Sequence, residues 1–209
     1  MFPQIGKIYA LVMGNSMESC KEDVKRMTML LSKYNGNIKT RIDCNTYNEI
    51  VYFCNSNIFN ENDLLIIHYS GHGKNIGKKI NNKMEILSAW VNNDKSLTCS
   101  YSIDIILSKV NCSKILISDS CHSGNFSNFY KGSFPLLFIG SSSIVSLSNE
   151  YTIFHKEKTG VLVCLWEYIL SKKSLQELTL SDFKETTNYF FNQHKVRVKP
   201  VIKTYNLLK

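Results

Sequence analysis

The chain has 209 residues, 44% of them hydrophobic and 11% aromatic, which favours one substantial folded core over a disordered chain. Its apolar runs are shorter than the roughly 20 residues that a membrane helix needs, so we expect no membrane partner. The formal charge is +8, but the lysines are scattered without a dense block. We therefore predict a solvated surface and no specific nucleic-acid partner, with nonspecific attraction to polyanions as the alternative.

The seven cysteines are odd in number and include no CxxC pair. Zinc fingers and a disulfide framework are therefore not expected, and we predict a reducing, cytoplasmic location that keeps thiols usable. The apolar run at 8–13 follows Lys7 but is too short for a signal peptide and lacks a clean cleavage site. We interpret it as a first buried strand.

The first half of the chain alternates predicted strands with predicted helices. Strands are expected at 7–13, 38–42 and 64–67, and apolar spacing indicates helices at 20–33 and 46–54. The polar stretch 74–83 is predicted to be a mobile loop, and 84–91 a strand of a hairpin.

The second half continues this alternation. We predict a helix at 101–110, a strand at 114–118, a loop at 125–133, a strand at 134–139, and helices at 161–170 and 182–193. Ser181 is the expected cap of the last helix, with Glu185 near the spacing of a capping box. The final strand, 198–205, contains Pro200, which suggests a sheet edge. This pattern predicts an α/β fold with a mostly parallel central sheet, flanked by helices on both faces, in one domain spanning 1–209.

Two short motifs follow predicted buried strands. YSGHG at 69–73 follows the run 64–67, and DSCHSG at 119–124 follows the run 115–117. Ligands of open α/β sheets bind at the carboxyl ends of the strands, and these motifs present His72 and Cys121 there. Since a thiol becomes a strong nucleophile when an imidazole takes its proton, we predict that His72 and Cys121 form a catalytic dyad.

The paired motifs closely resemble those of the metacaspases, arginine- or lysine-directed relatives of the caspases. The opening strand, the segment 20–23 and the strand-loop-helix pattern of 134–170 also have counterparts in that family. The resemblance implies a caspase-like three-layer sandwich without a prodomain, with 1–130 as a large-subunit-like portion and 131–209 as a small-subunit-like portion. It also implies a cysteine endopeptidase that cuts after Arg or Lys through an acyl-enzyme.

The resemblance assigns further roles to individual residues. Backbone N–H groups of Gly73 and Cys121 are the implied oxyanion donors, and glycine at position 73 permits close approach of the backbone to a substrate. The family's acidic specificity pocket corresponds to Cys20, Asp23, Ser70 and Asp119. Two carboxylates facing a guanidinium or ammonium group make physical sense, because a buried charge needs a partner.

Other interpretations of these pocket residues stay open. Asp23 is alternatively a solvated helix residue, and Asp119 a turn former at a strand end. True caspases use arginines to hold an acidic substrate residue, whereas the arginines here, at positions 26, 41 and 197, lie near neither motif in the sequence.

Calcium-activated metacaspases carry acidic residues at three places that differ in this chain. The stretch after YSGHG is basic here (74–79), the paired aspartates correspond to 99–101, and an aspartate seven residues beyond the cysteine is Asn128. Since hard cations need several oxygen ligands, usually carboxylates, we predict no cofactor and no calcium at the family site. His68 and His72 are not predicted to be a zinc pair, because their spacing of four suits a helix face and not a strand.

The activity itself has two interpretations. Either the chain is an active peptidase whose partners are proteins or peptides with Arg or Lys at the cleaved bond, or it is a weak or inactive caspase-like module that works by binding. We expect a monomer, as metacaspases generally are. The Lys131–Gly132 bond is a conceivable self-cleavage point, with an ordinary exposed lysine as the alternative.

Overall fold

The computed structural model describes residues 5–34, 36–143, 150–151, 159–196 and 200–206. The strands are β1 (Ile8–Gly14), β2 (Gly36–Ile42), β3 (Leu64–Gly71), β4 (Gly73–Ile80), β5 (Lys83–Val91), β6 (Leu97–Cys99), β7 (Ser113–Ser120), β8 (Leu136–Gly140), β9 (Glu150–Tyr151), β10 (Thr159–Gly160) and β11 (Val201–Tyr205). The helices are α1 (Glu18–Leu31), α2 (Thr46–Ser56), α3 (Ser100–Ser108), α4 (Val161–Lys172) and α5 (Leu180–Gln193). Within these ranges, no helix has the length and apolar character needed to cross a membrane.

A six-stranded sheet in the order β11-β8-β7-β3-β1-β2 forms the centre of the fold. The neighbouring pairs from β8 to β2 are parallel, and β11 runs antiparallel to β8. The apolar runs of β1, β3 and β7 are buried on both faces, as expected for parallel strands covered by helices on both sides. The predicted α/β sandwich with a mostly parallel sheet is confirmed.

The two faces of the sheet pack into separate apolar cores. Helices α1, α4 and α5 cover one face through residues such as Met27, Leu165 and Phe190. Helices α2 and α3 cover the other face through Phe53 and Leu107. The side chains of a strand alternate between these cores, so neighbouring residues of one motif face different helices.

The predicted loop at 74–83 is wrong, because most of that stretch forms β4. This strand pairs with β5 in an antiparallel hairpin whose turn, Asn81 and Asn82, has positive φ angles of 48° and 64°. Positive φ at both central residues is the geometry of a tight hairpin turn, and asparagine tolerates it. Much of β4 is exposed, so its sequence lacks the apolar alternation that indicates a strand.

Helix α5 begins earlier than predicted. Thr179 is the cap residue, and its hydroxyl accepts a hydrogen bond from the backbone N–H of Asp182 at 3.0 Å. The Asp182 carboxylate accepts a hydrogen bond from the backbone N–H of Thr179 at 3.1 Å, which completes a capping box. The predicted cap Ser181 instead donates to Glu185 at 2.9 Å, within the helix.

The last strand lies at a sheet edge, as Pro200 suggested. It begins at Val201, and 198–199 of the predicted strand lie outside the described residues. The sheet combines four strands from 1–130 with β8 and β11 from 131–209. The division into two subunit-like portions of one domain stays a prediction.

Candidate active site

His72 and Cys121 follow adjacent strands of the sheet at the same edge. Strand β3 ends at Gly71 and β7 ends at Ser120, and these two residues are paired in the parallel register. The next residue on each strand is therefore His72 or Cys121. Both line one pocket of about 240 Å³, with His72 exposed and Cys121 half-buried. The structure thus brings together the two residues of the predicted dyad.

The backbone turns sharply after Cys121. His122 has a φ of 55°, in the left-handed region, and a short 3₁₀ helix, Ser123–Asn125, follows it. Ser88 on β5 holds this turn, because its hydroxyl donates to the carbonyl of His122 and accepts from the backbone N–H of Asn125 at 3.0 Å. A non-glycine residue in this region costs free energy and persists where its surroundings fix it, which is common at active sites.

Gly73 lies against the backbone of Cys121. A Cβ atom at position 73 would overlap the Cys121 carbonyl oxygen and lie 2.9 Å from the Ser120 hydroxyl. Only glycine leaves room for this approach. The two residues predicted to supply oxyanion donors are therefore neighbours, although their roles stay predictions.

All four predicted specificity residues line the same pocket as the dyad. Cys20 and Asp23 come from α1, Ser70 from the end of β3, and Asp119 from the end of β7. Burial raises the pKa of the Cys20 thiol to about 11, so this sulfur carries its proton at neutral pH. The uncharged Cys20 side chain therefore lines the pocket beside the two carboxyl groups.

Asp23 is 1% exposed and Asp119 is 5% exposed. Asp23 accepts hydrogen bonds from the Ser70 hydroxyl at 2.5 Å and the Gly160 backbone N–H at 2.9 Å. Asp119 accepts one from the backbone N–H of Leu162 at 2.9 Å. Both carboxyl groups therefore meet the N-terminal end of α4, where free N–H groups and the helix dipole stabilise negative charge.

The environment of Asp23 shifts its proton equilibrium. Burial, followed by the nearby charge of Asp119, raises the pKa of Asp23 well above that of an ordinary aspartate. The hydrogen bonds from Ser70 and Gly160 and the positive charge of Arg26 oppose this rise without cancelling it. A cation entering the pocket would stabilise the ionised form.

Two residues behind the pocket were missed by sequence reasoning. A Cβ at Gly160 would overlap the Asp119 carboxylate and lie 2.8 Å from that of Asp23, so glycine is needed where β10 meets the two acids. Arg26 is buried, donates to Glu22 at 2.9 Å and to the Thr159 hydroxyl at 3.4 Å, and lies close enough to affect Asp23. The available signals were a glycine before a predicted helix and an arginine three residues after Asp23.

The histidines that the structure describes do not form a metal centre with His72. In the part of the chain that the structure describes, no group of three or more His, Cys, Asp or Glu side chains is arranged to hold a metal ion. His68 is fully buried in β3, whereas His72 is exposed. His155 lies outside the described residues.

Comparisons with known proteins agree with this architecture. Residues 7–189 match the family model described as the caspase domain. The chain also resembles the crystal structure of protein GSU0716 from Geobacter sulfurreducens, with a TM-score of 0.72 and 15% sequence identity over 98% of this chain and 95% of that one. At that identity the likeness concerns the fold alone. No curated protein gives a significant match. The match across most of the sequence places this chain in the caspase domain family, a family of cysteine peptidases.

Proposed function

We propose that this protein is a metacaspase-type cysteine endopeptidase that hydrolyses peptide bonds after Arg or Lys. One observation carries the proposal: His72, Cys121 and the buried carboxyl groups of Asp23 and Asp119 line a single pocket. A nucleophile and its base thus lie beside a site suited to a positively charged side chain. The cytoplasmic location and the monomeric state stay predictions.

The proposed reaction begins when His72 takes the proton of the Cys121 thiol. The thiolate attacks the carbonyl carbon of the scissile bond, and a C–S bond forms as the carbonyl oxygen becomes negative. The backbone N–H groups of Gly73 and Cys121 are the proposed donors to this oxyanion. The C–N bond then breaks, and His72 gives its proton to the leaving amine. Water, deprotonated by His72, hydrolyses the thioester and restores the thiol.

The pocket supports a preference for basic substrates. A guanidinium or ammonium group that enters the pocket could donate hydrogen bonds to the carboxyl oxygens of Asp23 and Asp119. Its positive charge would compensate these buried acids for the water that they lose on folding. An aspartate side chain would instead bring a further negative charge into a buried site that is already lined by two acidic groups. Arg26 does not reverse this preference, because its Nε is already bonded to Glu22.

We also propose that activity does not require calcium. The residues at two of the three family positions do not fit the ion. Asn128 stands at the family position seven residues beyond the cysteine. Its side-chain oxygen accepts a hydrogen bond from the Lys203 ammonium group at 2.6 Å. The exposed strand β4 contributes lysines where the family has acids. A divalent cation would meet positive charge at both places.

Labelling with a peptidyl-arginine chloromethyl ketone tests the activity. We expect rapid alkylation, mapped by peptide mass spectrometry to Cys121, and a much slower reaction with the matched aspartyl reagent. The Cys121→Ala variant is the control and should stay unlabelled. If neither reagent modifies Cys121 faster than an ordinary thiol, the binding-module interpretation replaces the peptidase.

A further inference from the structure

Lys203 projects from the last strand toward the segment that follows the proposed nucleophile. Its ammonium group donates to the backbone carbonyl of Gly124, to that of Phe126 at 3.0 Å, and to the side-chain oxygen of Asn128 at 2.6 Å. These acceptors occur at alternate positions of one short segment, 124–128. Three oxygen atoms thus surround one positive charge, an arrangement that proteins also use for metal cations.

Asp104 on α3 binds the N–H groups of the same segment. Its two carboxylate oxygens accept hydrogen bonds from the backbone of Ser127 and Phe129, each at 3.0 Å, and its side chain is fully buried. Lys203 therefore donates hydrogen bonds to carbonyl oxygens of the segment, and Asp104 accepts hydrogen bonds from one of its N–H groups and from that of the next residue. Ser127 has a φ of 69°, a strained conformation that these bonds hold in place.

The segment is connected to the nucleophile by short steps. Its first residue, Gly124, belongs to the 3₁₀ helix that begins two residues after Cys121. Its central ring, Phe126, is fully buried and stacks on Trp90 with centroids 4.9 Å apart. The Trp90 indole donates to the Ser118 hydroxyl at 2.8 Å on β7, the strand that ends directly before Cys121. A shift of the segment would therefore move the 3₁₀ helix that follows Cys121 and would also disturb the Phe126–Trp90 contact beside β7.

We propose that Lys203, together with Asp104, is a positioning residue for Cys121: its tethered ammonium group occupies the oxygen cradle at 124–128 and holds the nucleophile turn in its reactive geometry. The inference rests on the proposed function, because it assigns Cys121 the reacting sulfur. It extends that function by making the final strand part of the catalytic apparatus, although Lys203 does not touch the pocket.

The first test compares Lys203→Met with Lys203→Arg in the full chain. Methionine keeps much of the length and removes the charge, so we expect kcat for an arginine reporter peptide to fall about 100-fold, the size of effect that small misplacements of reacting groups produce. KM should change little, because the specificity pocket is untouched. Arginine retains a cation and should restore part of kcat. Lys184→Met, an exposed lysine on α5, is the matched control and should behave like the parent.

The second measurement does not depend on peptide cleavage. The rate of Cys121 alkylation by iodoacetamide, followed by peptide mass spectrometry, should fall in Lys203→Met and recover partly in Lys203→Arg. If the parent cleaves no peptide, the proposed peptidase activity is wrong. The ratio of the Cys121 alkylation rates in Lys203→Met and in the parent still tests whether Lys203 positions Cys121. Thermal unfolding identifies the temperature range in which each variant is folded. Asn128→Ala removes one of the three acceptors of Lys203 and should lower the alkylation rate of Cys121 by a smaller factor.

Either of two results would overturn the proposal. One is a folded Lys203→Met variant with the parent's kcat and the parent's Cys121 alkylation rate. The other is a loss of activity that comes from a higher KM with kcat unchanged, since that places the effect in substrate binding and not in the position of the nucleophile.

Discussion

At the scale of single residues, the main feature is a pair of buried acids that both bind the N-terminal end of α4. Asp23 and Asp119 are supported by backbone N–H groups at the start of α4 and by the Ser70 hydroxyl. These neutral donors stabilise negative charge only in part, because burial still raises the pKa of Asp23. The site would therefore gain from a bound cation, which is the physical basis for the proposed preference for a basic substrate residue.

Asp23→Asn should weaken cleavage after Arg and Lys. Loss of one buried carboxylate that faces a bound cation costs about 2–5 kcal/mol, so we expect kcat/KM for an arginine reporter to fall by a factor of about 30 to a few thousand. The thermal midpoint should hold or rise, because the variant removes a like-charge contact with Asp119. Glu18→Gln, an exposed acid on the same helix, is the control. Unchanged kcat/KM in Asp23→Asn would remove this residue from the pocket's function.

The raised pKa of Asp23 also predicts how KM responds to pH. The neutral carboxyl, which prevails at lower pH, binds a cation less well than the carboxylate. KM for an arginine reporter should therefore fall as pH rises from about 6 to about 9, and each binding event should release protons. The Asp23→Asn variant should show a flatter profile. A KM that stays constant in the parent across this range would contradict the assigned protonation behaviour.

The sequence predicted these residue roles unevenly, for a physical reason. The placement of His72 and Cys121 in one pocket was predictable because each sits in a short motif directly after an apolar strand. Gly160 and Lys203 were not, because their importance comes from contacts with segments far away in the chain. Lys203 contacts Asn128 across 75 positions and carries no local pattern.

At the scale of elements, the parallel strands and their helices were predictable, whereas the exposed hairpin was not. Strands β1, β3 and β7 are buried on both faces, so their sequences are continuously apolar. Strand β4 has little burial, and its lysines and glycines are typical of loops. Its pairing with β5 depends on the Asn81–Asn82 turn, a signal that the composition of the stretch obscured.

The loop that carries Lys131 should resist self-cleavage in the folded protein. The backbone N–H of Lys131 donates to the Ser108 hydroxyl at 2.8 Å, and the carbonyl of Gly132 accepts from the Asn206 side chain at 2.7 Å. Cleavage requires this segment to leave its partners and enter the pocket. Intact-mass measurement after prolonged incubation should show an uncut chain. A cut after Lys131 in the parent that is absent in Cys121→Ala would disprove this expectation.

At the scale of the whole molecule, the two portions of the chain build the proposed active site jointly. The portion 1–130 supplies His72, Cys121 and both pocket acids. The portion 131–209 supplies the start of α4, whose N–H groups bind the acids, and Lys203, which donates hydrogen bonds to the segment 124–128. The motifs lie in the first portion, so the sequence pointed there, while the supporting contacts form only when the sheet is complete.

The stability of the whole fold should depend on His68. This side chain is fully buried in β3, both ring nitrogens lack a hydrogen-bond partner among the described residues, and burial lowers its pKa to about 3. Unfolded histidine titrates near 6.5, so between these values the unfolded state binds the additional proton. His68 should therefore cost about 1.4 kcal/mol of stability for each pH unit below about 6.5.

The matching experiment compares urea unfolding of the parent and His68→Leu across this pH range. Asp104 and Asp23 oppose the histidine in the parent, since carboxyls with raised pKa values favour the folded state at lower pH. The difference between the two proteins removes that contribution. We expect His68→Leu to gain relative stability as pH falls, and a difference independent of pH would mean that His68 does not titrate on unfolding.

The most direct test of the central claim is the hydrolysis of matched fluorogenic peptides ending in Arg, Lys or Asp, measured with the parent and with Cys121→Ala, with and without calcium. We predict cleavage after Arg and Lys by the parent at a rate that calcium does not change, no cleavage after Asp, and no activity in Cys121→Ala. Cleavage after Asp, or a Cys121→Ala variant as active as the parent, would contradict the assignment of the pocket or of the nucleophile.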